Sequence, residues 1–331
     1  MNVRLRTPEH RYSRILGVGA YRPRRVVTNA EICTRIDSTE EWIESRSGIV
    51  TRHFAAPDET LAVMAASAGA EALAHAGLEP ERLDCVLVAS MSNLLQTPPV
   101  SVAVAHALGA HRAGAFDLSA ACAGFCHALA VAGDLVSSGG AAHVLVVGAE
   151  RMTDIVDPED RTIAFLFADG AGAVVVGPSD EPGIAPAVRG ADGSYAGALR
   201  MDGAWAGAGP DRPRPYMRMD GRGVFRWAVS RIVPAGQQAM AQAGVDAARL
   251  AAFIPHQANL RMIEVMADRL GLPADVAVAT DVCRSGNTSS ASIPLAMERL
   301  LSEGTVRSGD PALLVGFGAG LNYAGQVALL P

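Results

Sequence analysis

Residues 76–87 read AGLEPERLDCVL, and residues 243–254 read AGVDAARLAAFI. Aligned without a gap, both stretches begin with Ala-Gly, carry Arg-Leu at the seventh and eighth positions and continue into an apolar run. A second pair, LVVG at 145–148 and LLVG at 313–316, is separated by almost the same spacing along the chain. Two independent matches at nearly one spacing indicate an internal duplication.

Each repeat alternates helical patterns with short, continuous apolar runs such as residues 144–147 and 312–315. Such runs are typical of strands that are buried on both faces of a mostly parallel sheet, so the predicted fold class is α/β. We expect two duplicated halves, residues 1–180 and 181–331, in a five-layer α/β/α/β/α arrangement. The loops at the strand ends then meet in a central cleft, where function is expected.

The segment at residues 179–215 interrupts this alternation. It is rich in Gly, Pro and Asp and contains the turn-like sequences DGSY (192–195) and GAGPDRPRP (207–215). This composition predicts a linker with long loops, which either covers the cleft or forms a surface connection.

The composition is that of a globular enzyme rather than of a disordered or nucleic-acid-binding chain. Of 331 residues, 50% are hydrophobic and 19% are charged, which is enough apolar material for a sizeable core. The net charge is -6 and all 28 basic residues are Arg, so no general basic field favours nucleic acid or an anionic membrane. Residues 1–10 lack the apolar core of a leader, and no apolar run reaches the roughly 18 residues of a membrane span. We therefore expect a cytoplasmic protein.

The five cysteines suggest neither a metal site nor a disulfide framework. They are odd in number and scattered, with no CxxC pair: Cys33, Cys85, Cys122, Cys126 and Cys283. The glycines of GFGAG (316–320) precede only a short terminal segment with no βαβ unit, so a dinucleotide loop is not expected. Walker A, HExxH and GxSxG sequences are absent as well. The sequence thus predicts no metal and no bound cofactor.

Cys122 is the candidate nucleophile. It follows Asp-Leu-Ser at 117–119 and opens an Ala-rich run whose apolar residues have helical spacing, which places it in the first turn of a helix. There the helix dipole and free backbone N–H groups favour a thiolate, and Gly124 permits close approach of a substrate. Cys126, one turn further on, is expected to be structural. The alternative for Cys122 is a small, buried apolar side chain.

His256 and Asn287 are the candidate partners of Cys122. His256 follows the apolar strand at 250–255 and therefore stands at a strand end, where open parallel sheets bind ligands. Asn287 lies in RSGNTSSAS (284–292), a turn that runs into another small-residue helix. The separation of Cys122 and Asn287 along the chain is close to the repeat spacing, which predicts that they are counterparts at two matching helix starts.

Seven motifs together resemble the β-ketoacyl-[acyl carrier protein] synthase III family over almost the whole chain. They are RILGVGAYRP (14–23), EEWIESRSGI (40–49), ACAGF (121–125), FADGAGA (167–173), PHQANLR (255–261), SGNTSSAS (285–292) and GFGAGLNYAG (316–325). The resemblance implies a thiolase-like fold with a catalytic site made of Cys122, His256 and Asn287. It also implies an oxyanion hole formed by the backbone N–H groups of Cys122 and Ala319.

The resemblance implies a two-step reaction. An acyl group moves from coenzyme A to Cys122, so the coenzyme A thioester is a substrate and not a cofactor. Malonyl-[acyl carrier protein] then loses carbon dioxide, and the enolate, held by His256 and Asn287, attacks the acyl group. This decarboxylative Claisen condensation starts fatty acid synthesis or primes a polyketide pathway. Two alternatives on the same fold are an acyltransferase that moves the acyl group to a hydroxyl, amine or carrier thiol without decarboxylation, and a non-catalytic subunit.

Further positions match the family's residues for binding coenzyme A. Trp42 and Arg46 are expected to sandwich the adenine, and Arg161 to bind a phosphate or the adenine edge. Phe225 and Asn259 are expected to line the pantetheine tunnel.

The family's carrier protein is acidic, and three arginines are the candidates to bind it: Arg226, Arg261 and Arg269. A position beside Arg269 that is basic in the family is acidic here, Asp268, which weakens this patch. In NLLQTPPV (93–100), the position that holds a large aromatic residue in acetyl-specific members is Thr97. We therefore expect a pocket that accepts acyl groups longer than acetyl, branched acyl groups or an aryl group. The family also implies a homodimer.

Overall fold

The structure is a computed structural model and describes residues 12–204 and 214–331. Two parts of the sequence prediction lie outside the described residues. They are residues 1–10, where we expected no leader, and most of the predicted loop GAGPDRPRP (207–215). No helix in the two described ranges is long and apolar enough to span a membrane.

Strands in the described ranges form two five-stranded and two two-stranded sheets. They are β1 (Tyr12–Tyr21), β2 (Arg25–Thr28), β3 (Thr51–Phe54), β4 (Cys85–Ala89), β5 (Gly114–Leu118), β6 (Val144–Arg151), β7 (Asp169–Ser179), β8 (Val188–Ala191), β9 (Leu199–Met201), β10 (Met217–Met219), β11 (Ala252–Pro255), β12 (Ala277–Val278), β13 (Pro311–Gly318) and β14 (Asn322–Leu329).

The α-helices of the same ranges alternate with these strands. They are α1 (Asn29–Cys33), α2 (Glu40–Ser47), α3 (Leu61–Ala76), α4 (Val100–Leu108), α5 (Gly124–Ser137), α6 (Gly221–Ala243), α7 (Leu260–Leu270), α8 (Val282–Ser285) and α9 (Ser292–Ser302).

The two five-stranded sheets are repeats of one another. The first has the strand order β1-β7-β6-β4-β5, and the second has the matching order β8-β14-β13-β11-β12. In each sheet the three strands at one end are parallel and the other two pair antiparallel. The duplication predicted from the sequence spacing is therefore confirmed. The boundary between residues 180 and 181 stays a prediction.

Helices separate and cover the two sheets. α5 and α9 lie between the sheets and contact strands of both. α3 and α4 cover the outer face of the first sheet, and α6 covers the outer face of the second with α7 beside it. The predicted five-layer α/β/α/β/α arrangement is thus confirmed. Apolar side chains of α5 and α9 fill the space between the sheets, among them Phe125, Leu129, Ile293 and Met297.

The prediction of a linker with long loops at residues 179–215 was only partly right. The segment supplies β8, which pairs with β14 at the edge of the second sheet, and β9, which pairs with β10. A 3-10 helix, Gly193–Ala198, lies between these strands. β8 has four residues and β9 has three. Strands this short show no clear pattern of apolar residues in the sequence, so the surrounding Gly and Pro residues led to the prediction of loops.

Two glycines allow the halves to approach each other closely. A Cβ atom at Gly148 in β6 would lie 2.3 Å from the carbonyl oxygen of Ser290, in the 3-10 turn Ser289–Ala291 before α9. The repeat counterpart Gly316 in β13 lies against the turn before α5, where a Cβ atom would be 3.0 Å from Cα of Ala123. Each helix start is thus seated on a strand of the opposite half.

Replacing Gly148 with alanine tests this packing. We expect Gly148→Ala to lower the free energy of unfolding by about 1–3 kcal/mol, because backbone atoms of the opposing turn have no room to move. Gly114→Ala is the matched control in a strand, since its Cβ would meet only the Asp84 carbonyl oxygen, at 3.7 Å. Urea denaturation measures both. Equal stability of the two variants would contradict the close approach.

Candidate active site

Cys122 lies in a 3-10 turn, Ala121–Ala123, that leads directly into α5. The residue before it, Ala121, has φ 47°, in the left-handed region that non-glycine residues rarely adopt. The cysteine therefore stands just before the first turn of the α-helix, whereas the sequence predicted a place within that turn. Its side chain is buried, with 3% of the residue exposed.

The second half repeats this turn at Ser289–Ala291, before α9. Ser289 has φ 50°, the same left-handed backbone conformation as Ala121 in the first half. The separation of these two residues along the chain equals that between the sequences LVVG and LLVG. The counterpart of Cys122 is therefore Ser290. The prediction that Asn287 is the counterpart was wrong, because sequence spacing alone could not fix the exact position of the turn.

His256 follows β11 and is held in a fixed orientation. Its Nδ1 atom lies 2.8 Å from Oγ of Ser292, which also accepts the backbone N–H of Gln257 at 3.2 Å. The Ser292 proton is then free to donate to Nδ1, an arrangement that favours the ring proton on Nε2. The ring packs edge-on against Phe317 at a centroid distance of 5.1 Å.

Asn287 is fixed by both its backbone and its side chain. Its backbone N–H donates to the Leu166 carbonyl, and its carbonyl accepts the N–H of Ala168, each at 2.9 Å. Its Oδ1 accepts the backbone N–H of Ser289 at 2.9 Å, so Nδ2 is the atom directed away from this turn. Nδ2 donates to the Ala258 carbonyl at 3.4 Å and has a second hydrogen available to a ligand.

Burial keeps both the thiol and the imidazole neutral. It raises the pKa of Cys122 to about 12, an effect that a Ser289 hydrogen bond opposes and the Glu150 carboxylate reinforces. The predicted thiolate is therefore wrong for the free protein, because removal from water outweighs the helix start. Burial also lowers the pKa of His256 to about 3. At neutral pH the site holds a thiol and an uncharged imidazole.

Cys122, His256 and Asn287 line one cavity of about 800 Å³. Each is at least 95% buried, and they reach the cavity from the start of α5, the end of β11 and the loop before α9. The cavity wall also includes Phe317 and Gly318 of β13. The three residues that the sequence singled out are therefore brought together.

The predicted adenine-binding residues lie along the same cavity. Trp42 packs edge-on against Phe165 at 5.2 Å between ring centroids. The guanidinium carbons of Arg46 and Arg161 lie 5.8 Å and 6.0 Å from the Trp42 ring centroid, and all three residues line the cavity. Both arginines are exposed, and Arg161 also forms an ion pair with Asp37 at 3.7 Å. An indole flanked by two cations forms a surface onto which an aromatic, anionic ligand could stack.

Most of the other predicted binding residues share this cavity. Phe225, Asn259, Arg226 and Arg261 line it, and the Asn259 side chain also caps α7 by accepting the N–H of Met262. The exception is Arg269, which is exposed in the last turn of α7 and does not line the cavity.

Ala319 and Thr97 are placed differently from the reactive residues. Ala319 lines a second cavity of about 350 Å³, together with Ala121, Met91 and Leu199. Since Leu199 lines both cavities, the second one adjoins the first. Thr97 is exposed and lines neither of the two, so the prediction that it shapes the acyl pocket finds no support within a single chain.

Several site residues were not predicted from the sequence. Ser292 positions His256, Phe317 packs on its ring, and Arg222 adds a cation to the cavity wall. Glu150 is a fully buried carboxylate at the end of β6 that contacts the turn Ser289–Ala291. An acidic residue directly after the apolar run LVVGA was the signal that could have identified Glu150. Within the described ranges, no group of three or more His, Cys, Asp or Glu residues could hold a metal ion.

Known proteins resemble this chain over almost its whole length. The family profile described as 3-oxoacyl-[acyl-carrier-protein] synthase III matches residues 116–193, and the profile of its C-terminal part matches residues 240–329. The β-ketoacyl-[acyl-carrier-protein] synthase III of Streptomyces lividans is 59% identical over 329 residues, covering 99% of this chain and 97% of the relative.

Solved structures of known proteins have the same fold as this chain. The priming β-ketosynthase of the R1128 polyketide biosynthetic pathway is 59% identical, with a TM-score of 0.97 over 99% of this chain and 98% of that one. The 3-oxoacyl-[acyl-carrier-protein] synthase III of Aquifex aeolicus is 38% identical, with a TM-score of 0.89 over 96% of this chain and 99% of that one.

The duplicated five-layer fold, with a cysteine at a helix start facing a histidine and an asparagine, defines a thiolase-fold condensing enzyme of the acyltransferase class. Within that class, the chain belongs to the β-ketoacyl-[acyl-carrier-protein] synthase III family.

The uncharged state of His256 can be measured directly. We expect its ring to remain neutral down to about pH 4, because burial lowers its pKa to about 3. NMR of histidine-labelled protein reports the ring protonation, and the His256→Asn variant assigns the signal. A titration midpoint of His256 near pH 6.5 would contradict the buried, neutral imidazole.

Proposed function

We propose that this chain transfers an acyl group from coenzyme A to Cys122 and then condenses it with malonyl-[acyl carrier protein] with loss of carbon dioxide. The observation that carries the proposal is the shared cavity, in which a buried thiol and two neutral donors lie beyond an entrance that holds Trp42, Arg46 and Arg161. This arrangement suits a thioester whose adenine end stays near the surface while its carbonyl reaches the thiol.

In the first half-reaction, Cys122 attacks the thioester carbonyl and forms a tetrahedral intermediate. Its collapse breaks the carbon–sulfur bond to coenzyme A, and the departing coenzyme A thiolate is protonated in place of the Cys122 thiol. The proposed oxyanion hole consists of the backbone N–H groups of Cys122 and Ala319. The chain segment before Ala319 packs tightly on the cysteine, since a Cβ atom at Gly318 would be 2.8 Å from the Cys122 nitrogen. Only glycine at position 318 leaves the space for this approach.

In the second half-reaction, the malonyl group loses carbon dioxide and leaves an enolate. Nε2–H of His256 and Nδ2–H of Asn287 donate to the enolate oxygen in this proposal. Both donors are buried and held by Ser292 and Ser289, so they need little reorganisation as charge develops. The carbanion then attacks the acyl carbon on Cys122. The bond from this carbon to the Cys122 sulfur breaks, which releases the 3-oxoacyl product and a thiolate that takes up a proton.

The cavity entrance supplies cations for the remaining parts of the substrates. The coenzyme A adenine stacks on Trp42 with Arg46 and Arg161 beside it, and the pantetheine passes Phe225 and Asn259. Arg226 and Arg261 attract the acidic carrier protein. Arg269 lies further away on α7 and adds to the same field only at longer range.

The second cavity accommodates the acyl chain in this proposal. It begins beside the Cys122 turn and is lined by apolar side chains that include Met91, Leu199, Met201 and Met217. An acyl group longer than acetyl gains binding free energy by leaving water there, by about 0.8 kcal/mol for each CH₂ group buried. We therefore propose a starter longer than acetyl, for either fatty acid initiation or polyketide priming. We also propose that the chain acts in the cytoplasm as a homodimer, without a bound cofactor.

A panel of acyl-CoA starters tests the function. We expect mass spectrometry to show one acyl adduct on Cys122, and addition of malonyl-[acyl carrier protein] to release carbon dioxide in proportion to the acyl group consumed. Starters of four or more carbons should react faster than acetyl-CoA. The Cys122→Ala variant is the control for the adduct.

Two results would contradict this proposal. Acyl transfer to a hydroxyl, amine or carrier thiol without carbon dioxide release would favour the non-decarboxylating acyltransferase. Absence of any adduct on Cys122 would favour the non-catalytic subunit.

The Asn287→Ala variant separates the two half-reactions. We expect it to lower the rate of condensation about a hundredfold, because one of the two donors to the enolate is lost. Acylation of Cys122 should remain within about threefold of the wild-type rate. Rapid-quench mass spectrometry measures the acylation, and carbon dioxide release measures the condensation. Equal loss of both rates would argue against a role of Asn287 in decarboxylation.

A further inference from the structure

Three carboxylates from two parts of the chain converge on one arginine, Arg218 in the middle of β10. Its Nη1 atom lies 2.8 Å from an oxygen of Asp160 and 3.6 Å from one of Asp157, and its Nε donates to Asp202 at 2.9 Å. Asp202 directly follows β9, whereas Asp157 and Asp160 belong to the segment that carries Arg161. Arg218 therefore connects the small sheet of β9 and β10 to a segment at the cavity entrance.

The alternation of side chains along β10 explains why Arg218 faces this cluster. Met217 lines the second cavity and Met219 lines the first, so Arg218, between them, lies on the opposite face of the strand. Met217 is buried, with 1% exposed, and its backbone N–H donates to the Ile155 carbonyl at 2.9 Å. The cavity side of β10 is therefore held by contacts that do not involve Arg218.

The segment 157–162 has no apolar anchor of its own. None of its residues is buried, and the buried part of the chain resumes only at Ile163. Polar contacts must therefore hold this segment in one conformation. The ion pair of Arg161 with Asp37, at 3.7 Å, adds little because the Asp37 side chain is fully exposed.

Asp160 supplies the polar contacts that this segment needs. Its Oδ1 accepts the backbone N–H of Thr162 at 2.9 Å and the hydroxyl of the same residue at 2.6 Å, and its carbonyl accepts the N–H of Ala164. Its Oδ2 accepts Arg218. Burial raises the pKa of Asp160, but hydrogen bonds from Thr162 and Arg218 outweigh this effect and leave the pKa below its usual value. One oxygen thus orders the turn around Arg161, and the other fastens this turn to β10.

We propose that Arg218 is a positioning residue for acyl-CoA, which holds the turn at residues 157–160 so that the Arg161 guanidinium stays beside the Trp42 ring. This inference rests on the proposed binding of the coenzyme A adenine at Trp42. The guanidinium carbon of Arg161 lies 6.0 Å from the Trp42 ring centroid, where it can also attract an aromatic, anionic ligand. Without Arg218, the three carboxylates lose their shared cation, and their mutual repulsion displaces the turn.

The position of Arg161 limits which rate constants Arg218 can affect. Arg161 contacts the adenine end of the substrate in this proposal, whereas Cys122 reacts with the thioester at the other end. Displacement of Arg161 therefore weakens the binding of acyl-CoA and leaves the chemical step unchanged. An acyl-pantetheine has the same acyl group and thioester but no adenine nucleotide, so its reaction should not depend on Arg218.

Four variants and two thioesters test this role. The variants are Arg218→Ala, Arg161→Ala, the double variant and Arg189→Ala. Arg189 in β8 is the matched control, because its side chain is 45% exposed against 42% for Arg218 and it pairs with a single carboxylate, Asp134, at 3.5 Å. Rapid-quench mass spectrometry follows the acylation of Cys122 as the concentration of acyl-CoA, or of the acyl-pantetheine with the same acyl group, is varied.

We expect Arg218→Ala to raise the acyl-CoA concentration at half-maximal rate about tenfold and to keep the maximal rate within about twofold of the wild type. Arg161→Ala should have the same effect. The double variant should be no weaker than either single variant, because Arg218 acts through Arg161. Both constants for the acyl-pantetheine should stay within about twofold of the wild type in all of these variants, and Arg189→Ala should match the wild type with both thioesters.

Three results would overturn the role of Arg218. The first is an unchanged acyl-CoA requirement in Arg218→Ala beside a clear increase in Arg161→Ala. The second is a pair of effects that multiply in the double variant, since the two residues would then act independently. The third is an equal loss with the acyl-pantetheine, which indicates a purely structural role. An unchanged acyl-CoA requirement in Arg161→Ala would instead overturn the proposed adenine site, and with it this inference.

Discussion

The active site depends on the close approach of two helix starts, one from each half of the molecule. The turns Ala121–Ala123 and Ser289–Ala291 share a left-handed residue, and each is seated on a glycine of the opposite half. Any side chain at Gly148 or Gly316 would separate these backbones. Because the contact is exchanged between the repeats, neither half can form the reactive cavity alone. The duplication is therefore a requirement of the site as well as a feature of the fold.

The same packing removes water from the reacting groups, and their chemistry follows from that. The thiol of Cys122 and the imidazole of His256 are both uncharged in the free protein. A neutral imidazole can donate a hydrogen bond to an enolate oxygen, and it places no cation in the site when the substrate is absent. The same burial keeps the Cys122 thiol protonated in the free protein, because it raises the pKa of this group.

Much of this arrangement could be predicted from the sequence, and the misses have physical causes. The repeat spacing and the apolar runs predicted the layers, and the motifs around Cys122, His256 and Asn287 predicted three residues that share one cavity. The ionisation of Cys122 was predicted wrongly, because position at a helix start is visible in a sequence while burial of the sulfur depends on the other half. Glu150 was missed because its partners lie far away in the chain, on the other side of the duplication in the case of Ser289 and Ser290.

The central claim is that one acyl group on Cys122 faces donors from both halves at once. A crystal structure of the acylated protein with a non-hydrolysable malonyl-coenzyme A analogue tests it most directly. We expect the acyl oxygen within hydrogen-bonding distance of the N–H groups of Cys122 and Ala319, and the analogue's oxygen within that distance of both His256 Nε2 and Asn287 Nδ2. An analogue bound in a pocket that His256 and Asn287 do not share with the acylated sulfur would contradict the account.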